Sequence, residues 1–325
     1  MTKKIEIKFS IIIPVKEINE YIRNFTPRIL EQTYKNFEII ILPNEKPKSG
    51  FSLAKTRIIP TGNVGPAEKR DLGAKAAHGE ILAFIDDDAY PDREWLEITS
   101  RHFQKETIAG VGGPQLTPPE SNYFQKTSGY VLSSWIVSGD QFHRYKKGKL
   151  KECYDLPSCN LFIRKEAFLK IGGFDTSFWP GEDTKLCLDI KKLGKIIYDP
   201  EIIVYHHRRK NLKGYAKQIF SYATHRGHFM KKYPDTSLKP SYLVPTLFIL
   251  GLITGGLLSI INPIIKIVYF SVLGIYSLLL IIESLRTSKG KHFFSFIGLS
   301  FLTHLIYGWG ILRGLMKKKL KSKLR

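Results

Sequence analysis

Two long apolar segments follow one another in the last quarter of the chain. Residues 242–261 (YLVPTLFILGLITGGLLSII) are twenty residues without a charge, enough to cross a bilayer core as a helix. Residues 264–285 follow a break at Asn262-Pro263, and Lys266 stands near their start, where its side chain can reach the membrane surface. Two buried helices of a soluble core are the alternative, but nothing polar remains to cover them. The segments therefore predict a helical hairpin in a membrane.

A third apolar segment, residues 292–316, is weaker as a membrane span because it is rich in glycine and contains His304 and Arg313. Segments rich in Lys and Arg tend to stay on the cytosolic side. If the first 240 residues are cytosolic, a third span would carry the basic residues 317–325 (KKKLKSKLR) to the far side, against this bias. We therefore expect two spans and an interfacial third helix near anionic lipid, with a third span as the alternative.

The chain as a whole is basic, with a formal net charge of +21 over 325 residues. Such a surface suits an anionic partner, whether a nucleotide, a phospholipid head group or nucleic acid, and charge alone does not choose among them. Cys153, Cys159 and Cys187 fit no zinc-binding spacing and are too few for a disulfide scaffold, which favours reduced thiols facing the cytosol. The first apolar run ends at Pro14 and is typical of a strand rather than of a signal peptide.

The first 200 residues alternate apolar strands with amphipathic helices. Strands are predicted over residues 9–15, 37–43, 57–60, 81–85 and 202–205. Helices are predicted over 19–32 and 67–77, the second with Pro66 at its start and Gly79 just past its end. Strands so rich in Val, Ile and Leu indicate an α/β domain with a mostly parallel sheet covered on both faces. Ligands of such sheets bind beyond the carboxyl ends of the strands.

Three aspartates, Asp86, Asp87 and Asp88, stand at such a position, directly after the strand predicted over 81–85. Like charges repel and unpaired carboxylates are costly to bury, so either water or a cation must compensate them. Strand alternation points Asp86 and Asp88 to the same side, where Mg²⁺ or Mn²⁺ would be shared between them. The alternative is a solvated acidic turn that leads into a helix capped by Asp92.

Four motifs in order resemble family 2 glycosyltransferases, which are enzymes of the GT-A fold. SIIIPVKEINEYI (10–22) resembles the opening strand and turn, and AEKRDLGAKAAHGEILAFIDDDAYP (67–91) resembles the helix, strand and Asp-x-Asp region. PSCNLFIRKEAFLKIGGFDTSFWPGEDTKLCLDIKKLG (157–194) resembles the acceptor-side segment, and IVYHHRR (203–209) resembles the closing strand. Four motifs in order are far more specific than any one alone. The resemblance implies a Rossmann-like, mostly parallel GT-A domain, followed here by a membrane segment.

The resemblance also implies roles for particular residues. The metal ligands would be Asp88, Asp86 and His206, with Mg²⁺ or Mn²⁺ as the cofactor. A UDP-, GDP- or dTDP-sugar donor would contact residues at the strand ends, namely Pro14, Val15, Glu17, Asn44, Lys69, Arg70, Asp86 and Asp87. Asn44 and Glu45 stand where the family usually has acidic residues, which leaves the nucleobase open. The acceptor or sugar would contact Asn160, Trp179 and Gly181, and phosphate groups would contact Arg208, Arg209 and Arg226.

Glu182 and Asp183 come just before a helix with apolar periodicity. Carboxylates at a helix start are favoured by its dipole and its unpaired N–H groups, which is a purely structural explanation. An inverting sugar transfer also needs a base that takes the proton of the acceptor hydroxyl. By resemblance that base is Asp183, with Glu182 orienting it or the acceptor.

These interpretations divide the chain into a GT-A domain (1–211), a basic amphipathic interfacial helix with its linker (212–240) and a membrane region (241–325). We expect an integral protein of the inner or plasma membrane, with a cytoplasmic catalytic domain that transfers sugar to a hydroxyl of a lipid-linked or polysaccharide acceptor. A polyprenyl-phosphate glycosyltransferase is the first alternative, and its phosphate acceptor would need no base. A non-enzymatic, membrane-tethered nucleotide-binding module is the second. Nucleic acid is not expected, because the aromatic residues lie at core spacing.

Overall fold

Strands and helices alternate along the first two thirds of the chain in the computed structural model, which describes residues 6–47, 50–175 and 180–320. The strands are β1 (Phe9–Pro14), β2 (Phe37–Leu42), β3 (Thr56–Ile58), β4 (Ile81–Phe84), β5 (Ala89–Pro91), β6 (Ile108–Gly112), β7 (Gln115–Leu116), β8 (Lys151–Glu152), β9 (Leu161–Arg164), β10 (Lys195–Tyr198) and β11 (Val204–His206). The α-helices are α1 (Glu20–Phe25), α2 (Pro66–Ala76), α3 (Trp95–His102), α4 (Tyr123–Leu132), α5 (Trp135–Ser138), α6 (Lys165–Lys170), α7 (Glu182–Ile190), α8 (Leu212–Lys232), α9 (Pro234–Ser237), α10 (Pro240–Ile261), α11 (Pro263–Thr287) and α12 (Phe293–Met316). Short 3₁₀ helices cover Thr26–Glu31, Gly139–Arg144, Ser158–Asn160 and Gly290–His292.

The main sheet has eight strands in the order β3-β2-β1-β4-β9-β6-β10-β8. β1, β2, β3 and β4 are parallel to one another, and β6 is parallel to β10. β9 runs antiparallel to both β4 and β6 and so joins the two parallel halves. A second sheet has the strand order β5-β11-β7, and its three strands all follow β4 in the sequence. The fold is therefore the mostly parallel α/β sheet that the sequence predicts.

The two faces of the main sheet each bury one set of apolar side chains. Ile11 and Ile39 belong to the core on one face, and Ile12 and Ile40 belong to the core on the other. All four are 0% exposed, which explains why the strands read as continuous apolar runs rather than as alternating ones. Burial of each such side chain stabilises the fold by about 1.5–3 kcal/mol.

Most of the predicted elements of this sheet are confirmed. β1, β2 and β4 agree with the predicted strands to one residue at one end, and α2 is the helix predicted over 67–77. β3 lies one to two residues earlier than predicted. The single helix predicted over 19–32 is wrong in its second half, because α1 ends at Phe25 and a 3₁₀ helix follows. Pro27 lies at the start of that 3₁₀ helix and has no N–H to continue the α-helical ladder.

The chain divides into two compact units. Among the described residues, the first unit comprises 6–118 and 146–207 and contains both sheets. The second unit comprises 119–145 and 208–320 and contains α4, α5 and all helices from α8 onward. Residues 119–145 lie between β7 and β8 in the chain, within the predicted GT-A domain, yet they pack with the second unit.

Three helical segments of the second unit have the length and apolar composition of membrane spans. They are Pro240–Ile261, Pro263–Thr287 and Gly290–Met316. The first two correspond to the predicted hairpin, and Asn262 between them caps α11 by accepting hydrogen bonds from the N–H groups of Ile264 and Ile265. α8 is the helix that the basic amphipathic pattern of 212–233 predicts.

Candidate active site

Asp86, Asp88 and His206 come together beyond the carboxyl end of β4. Each offers one ligand atom, and these atoms lie within 4.8 Å of one another. β11 pairs with β5 so that His206 lies opposite Ala89, which brings the imidazole next to the acidic turn. All three side chains are half-buried. A metal-sized group of ligands is therefore assembled from two segments that are far apart in the sequence.

The chemistry of these ligands fits a divalent cation. Two carboxylates and one imidazole suit Mn²⁺, and the carboxylates suit Mg²⁺. Nδ1 of His206 is 2.7 Å from Oε1 of Gln115, which accepts its hydrogen, and Nε2 is 3.0 Å from Oδ1 of Asp88. An outer residue that holds the second ring nitrogen is the usual support of a metal-ligating histidine. Gln115 thus turns Nε2 toward the carboxylates.

The charge of His206 is set by Asp88. Burial disfavours the imidazolium, but the negative charge and hydrogen bond of Asp88 outweigh burial and raise the pKa of His206 to about 10. Positive charge on His206 therefore offsets part of the negative charge of the acidic cluster.

Asp87 has a different partner from its two neighbours. Its Oδ2 accepts a hydrogen bond from Nδ2 of Asn19 at 2.5 Å. The other end of that amide, Oδ1, accepts from the N–H of Ile22 and so caps α1. Asn19 therefore connects the acidic turn to the start of the first helix.

Arg70 joins the cation-ligand cluster to the carboxylates of α7. It lies on α2, is only 4% exposed, and places Nη2 2.7 Å from Oδ1 of Asp86. Its Nη1 is 3.5 Å from Oε1 of Glu182, and its guanidinium lies 5.6 Å from the centre of the Phe174 ring. One buried cation thus compensates two carboxylates that the sequence separates by almost one hundred residues.

The two acids at the start of α7 have different environments. Glu182 is buried, and burial together with the charge of Asp183 raises its pKa to about 8 against the opposing effect of Arg70. Asp183 is half-buried, and its Oδ2 accepts a hydrogen bond from the N–H of Ser158 at 3.1 Å. Gly181 precedes them with φ of 120°, a value that side-chain-bearing residues rarely adopt. The conformation of Gly181 therefore fixes the orientation of Glu182 and Asp183 at the start of α7.

Lys69 lies with Val15 and Asn44, two of the residues predicted to contact the donor, rather than with the acidic cluster. It is 3% exposed, and Nζ donates to Val15 O at 2.6 Å, Leu42 O at 3.1 Å and Asn44 Oδ1 at 2.5 Å. These three bonds use the three hydrogens of the ammonium group. Burial lowers the pKa of Lys69 to about 8, although Asp87 opposes the shift. Lys69 therefore ties the ends of β1 and β2 together.

The other predicted site residues are scattered over several environments. Pro14 is buried at the end of β1, whereas Glu17 and Glu45 are exposed. Asn160 is fully buried, donates to the carbonyl groups of Pro114 and Ile202, and accepts from Nε1 of Trp95. Asn160 thus links three buried segments through hydrogen bonds and does not belong to the group of Asp86, Asp88 and His206. Trp179 lies outside the described residues.

The three arginines predicted to contact phosphate belong to the second unit. Arg208 is buried, with its guanidinium 4.8 Å from the centre of the Tyr145 ring. Arg226 donates to Oγ of Ser237 at 3.2 Å and lies over the Tyr242 ring. Arg209 is half-buried. Aromatic rings therefore hold two of the three side chains in place.

Gln115, Asn19 and Ser158 support the cluster but have no signature of their own in the sequence. Gln115 is a residue of the two-residue strand β7, and only the pairing of β7 with β11 brings it to His206. The Gly112-Gly113-Pro114 run before it indicates a close backbone turn and is the one local signal of this position.

Known proteins resemble the chain in both fold and sequence. Among solved structures, a mannosyltransferase from Pyrobaculum calidifontis in complex with GDP-Man and Mn²⁺ aligns with a TM-score of 0.64, over 97% of this chain and 89% of that one. Its sequence identity of 15% shows likeness of fold alone. This likeness and the sheet order define a GT-A-like fold.

Curated relatives include two archaeal enzymes. One is a dolichyl N-acetyl-α-D-glucosaminyl phosphate 3-β-D-2,3-diacetamido-2,3-dideoxy-β-D-glucuronosyltransferase of Methanococcus voltae, 24% identical over 95% of this chain and 97% of that protein. The other is a glucosyl-dolichyl phosphate glucuronosyltransferase of Haloferax volcanii, 24% identical over 46% of this chain, and the match spans 49% of that relative. The description "Glycosyl transferase family 2" matches residues 10–172, half of the chain, and that range contains the acidic turn and Arg70. The chain therefore belongs to glycosyl transferase family 2.

Proposed function

We propose that this chain is a membrane-bound, metal-dependent glycosyltransferase that transfers a sugar from a nucleotide-sugar to a hydroxyl of a lipid-linked acceptor, with inversion at the anomeric carbon. The observation that carries the proposal is the bridge from Asp86 through Arg70 to Glu182. It couples a group of cation ligands to a pair of carboxylates, and sugar transfer needs charge at the leaving group together with a base near the acceptor.

The donor would bind at the carboxyl ends of β1, β2 and β4. A divalent cation held by Asp86, Asp88 and His206 would supply positive charge against the departing diphosphate. Val15 and Asn44, joined through Lys69, would border the part of the donor site that holds the nucleobase. The GDP-Man and Mn²⁺ complex of the Pyrobaculum mannosyltransferase supports a nucleotide-sugar and a divalent cation here.

Asp183 would be the general base. Burial favours the protonated form of Glu182, so we assign the role of the base to Asp183, the less buried acid of the pair. The proton of the acceptor hydroxyl passes to the Asp183 carboxylate while the hydroxyl oxygen forms its bond to the anomeric carbon. The bond from that carbon to the diphosphate oxygen breaks on the opposite face, and the electron pair leaves with the diphosphate. No covalent enzyme intermediate is needed.

The acceptor would be a sugar attached to a lipid phosphate. By its name, the Methanococcus relative acts on dolichyl N-acetyl-α-D-glucosaminyl phosphate, and its match covers nearly the whole of both chains. The Haloferax relative is named for glucosyl-dolichyl phosphate. Both names describe a sugar already joined to the lipid, which favours a hydroxyl acceptor over a bare lipid phosphate.

The membrane would be the cell membrane, with the first unit on its cytoplasmic side. Arg286 lies in the last turn of α11 and Lys289 and Lys291 follow that helix, and basic residues at the end of a span tend to remain cytosolic. Nucleotide-sugars and reduced thiols belong to the same compartment, and the three cysteines are buried and form no disulfide.

The test is a donor screen with the purified full chain in detergent. UDP-, GDP- and dTDP-sugars are supplied with Mn²⁺ or Mg²⁺ and a short-chain polyprenyl phosphate sugar, and release of nucleoside diphosphate is measured. We expect release with one donor class that depends on both the cation and the acceptor. Asp88→Ala should lose it, whereas Glu106→Gln, a change at an exposed residue after α3, should keep it. Full release by Asp88→Ala would contradict the proposal.

A further inference from the structure

α12 begins and ends at the same end of the α10–α11 hairpin. Near its start, Ser284 of α11 donates a hydrogen bond from Oγ to the carbonyl of Phe293 at 3.0 Å. Near its other end, Ile311 packs in one apolar cluster with Tyr242, in the first turn of α10. Since Asn262 forms the closed end of the hairpin, Tyr242 and Ser284 both lie toward its open end. A helix that crossed the bilayer beside this hairpin would instead finish near Asn262.

Burial separates α12 from the two hairpin helices. Forty-four per cent of its apolar stretch is buried within the protein, against 17% for that of α10 and 6% for that of α11. α10 and α11 thus offer most of their apolar surface to lipid, whereas much of α12 is already covered by protein. α12 is therefore the least suited of the three to a lipid-surrounded position.

α8 covers the C-terminal half of α12 with backbones in contact. A Cβ added to Gly314 would lie 2.1 Å from Thr224 O, and one added to Gly227 would lie 2.3 Å from Ile311 O. Lys231 of α8 also donates to the carbonyl groups of Leu315 and Lys317. α8 carries seven basic residues, Lys213, Lys217, His225, Arg226, His228, Lys231 and Lys232, so it does not belong in hydrocarbon. The half of α12 bound to it must stay at the same depth.

The insert 119–145 packs against the other half of α12. Tyr123 Oη donates to the carbonyl of Lys291 at 2.8 Å, and Thr127 Oγ1 lies 2.8 Å from Nδ1 of His292. Further along, Nε2 of His304 donates to the carbonyl of Ile136 at 3.2 Å. Nδ1 of the same ring lies 2.8 Å from the Tyr276 hydroxyl of α11, so one histidine joins the insert to the hairpin.

The outer surface of these elements has the composition of a membrane interface. Trp135 of α5 is 65% exposed, and Trp309 and Phe294 of α12 are 58% and 84% exposed. Tryptophan is enriched at the level of the lipid head groups, where its ring is half apolar and half polar. The lysines of α8 and Lys317–Lys319 add positive charge that anionic head groups would neutralise.

We propose that α4, α5, α8 and α12 form a platform that lies in the interface of an anionic bilayer, and that α10 and α11 alone cross the bilayer among the described residues. α12 then returns residues 317–320 to the side of α8, and the insert of the catalytic segment is itself a membrane contact. This proposal does not depend on which sugar is transferred or on whether sugar is transferred at all.

The first experiment measures sidedness with a membrane-impermeant maleimide on sealed inside-out vesicles. Three exposed positions are compared: Asp235→Cys next to α8, Asn262→Cys at the hairpin turn and Lys318→Cys after α12. The unsubstituted protein is the background control, because its three cysteines are buried. We expect Lys318→Cys to be labelled together with Asp235→Cys, and Asn262→Cys only after the vesicles are opened. Labelling of Lys318→Cys together with Asn262→Cys would overturn the proposal.

The second experiment measures depth by spin labelling in vesicles of phosphatidylcholine and phosphatidylglycerol. Trp135→Cys tests the insert, and Leu150→Cys, which is exposed to 61% in the first unit, is the matched control. We expect the Trp135 label to be relaxed more by oxygen than by a water-soluble nickel complex, and the Leu150 label to show the reverse. A Trp135 label fully open to nickel would exclude the insert from the platform. Shielding from both reagents with spin–spin broadening would show that a second copy covers it instead.

Discussion

Nη2 of Arg70 lies 2.7 Å from Oδ1 of Asp86 at the carboxyl edge of the sheet. The same guanidinium reaches Glu182 at 3.5 Å, so one buried charge serves both a cation ligand and the acid pair of α7. A change in the charge of Asp86 therefore affects Glu182 through Arg70, and a change in the charge of Glu182 affects Asp86. This dependence makes Arg70 the residue whose replacement most directly tests the arrangement.

Arg70→Met should destabilise the first unit, because it removes the buried cation that pairs with the Asp86 carboxylate and contacts Glu182. Removing one partner of a buried ion pair typically costs about 3–5 kcal/mol, and we expect a loss of about 3 kcal/mol in the free energy of unfolding. Denaturant titration in detergent measures it. Arg93→Met is the control, because Arg93 is 74% exposed and lies 3.8 Å from Glu31, a surface pair worth at most about 1 kcal/mol. Equal losses in the two variants would contradict the bridge.

Asp183→Asn should lower kcat by about 10²- to 10⁴-fold, the usual contribution of general base catalysis. Asparagine keeps an oxygen that can accept from the N–H of Ser158, so the loop should remain in place. Nucleoside diphosphate release at saturating donor gives the rate, and thermal unfolding checks the fold. A small loss would instead favour a lipid-phosphate acceptor, which is already an anion and needs no base.

Gln115→Leu should weaken cation binding, because leucine cannot hold Nδ1 of His206. Loss of an outer-shell partner typically costs about 10–100-fold in metal affinity, and we expect about 10-fold for Mn²⁺. Titration followed by the electron paramagnetic resonance signal of free Mn²⁺ measures it without any substrate. Gln104→Leu, which changes the same residue type after α3, should bind Mn²⁺ normally. An unchanged affinity in Gln115→Leu would remove His206 from the ligand set.

The stability of the first unit should depend on Asp71 between about pH 4 and pH 6. Burial raises the pKa of Asp71 to about 6 from 3.8, against the N–H of Phe174, which donates to it at 2.9 Å. Between these values the folded state binds a proton that the unfolded chain releases, so the free energy of unfolding falls as the pH rises. Thermal unfolding temperatures of the wild type and Asp71→Asn across this range measure the effect. The slope of the unfolding temperature against pH should be less negative, or more positive, in Asp71→Asn than in the wild type, and identical slopes would contradict the assignment.

Gly314→Ala should disrupt the contact between α8 and α12, because its Cβ would lie 2.1 Å from the carbonyl oxygen of Thr224. Overpacking of this kind costs about 1–3 kcal/mol. Gly298→Ala is the control in the same helix, where a Cβ meets nothing within 4 Å and alanine is the better helix former. Thermal unfolding in detergent should separate the two variants by several degrees. Equal behaviour would show that these helices are not in close contact.

Local sequence signals predict the sheet and the acidic turn but not how distant segments meet. Runs rich in Ile and Leu were enough to predict β1, β2 and β4, because burial on both faces of a sheet leaves a continuous apolar pattern. The bridge from Arg70 to Glu182 depends on α7 returning to the edge of α2, which no local pattern records. Resemblance to the family predicts His206, whereas its partner Gln115 follows only from the pairing of β7 with β11.

The insert 119–145 shows the same limit for the assignment of units. Its residues are mixed in polarity and lie between β7 of the second sheet and β8 of the main sheet, so sequence position groups them with the GT-A domain. The contacts of Thr127 with His292 and of Ile136 with His304 instead place the insert in the second unit. These partners are more than 160 residues away in the sequence. Apolar side chains such as Val131, in one cluster with Phe296, complete that packing.

The position of Val131 affects how the enzyme could be shortened. Removal of everything after His207 would delete Phe296, Leu299 and Tyr215, which bury Val131 in the intact protein, while leaving Val131 itself in the remaining chain. The fragment would carry a bare apolar helix face in the middle of its sequence and should self-associate or bind detergent. A soluble catalytic fragment would therefore require a polar replacement for 119–145 as well as a new C-terminus.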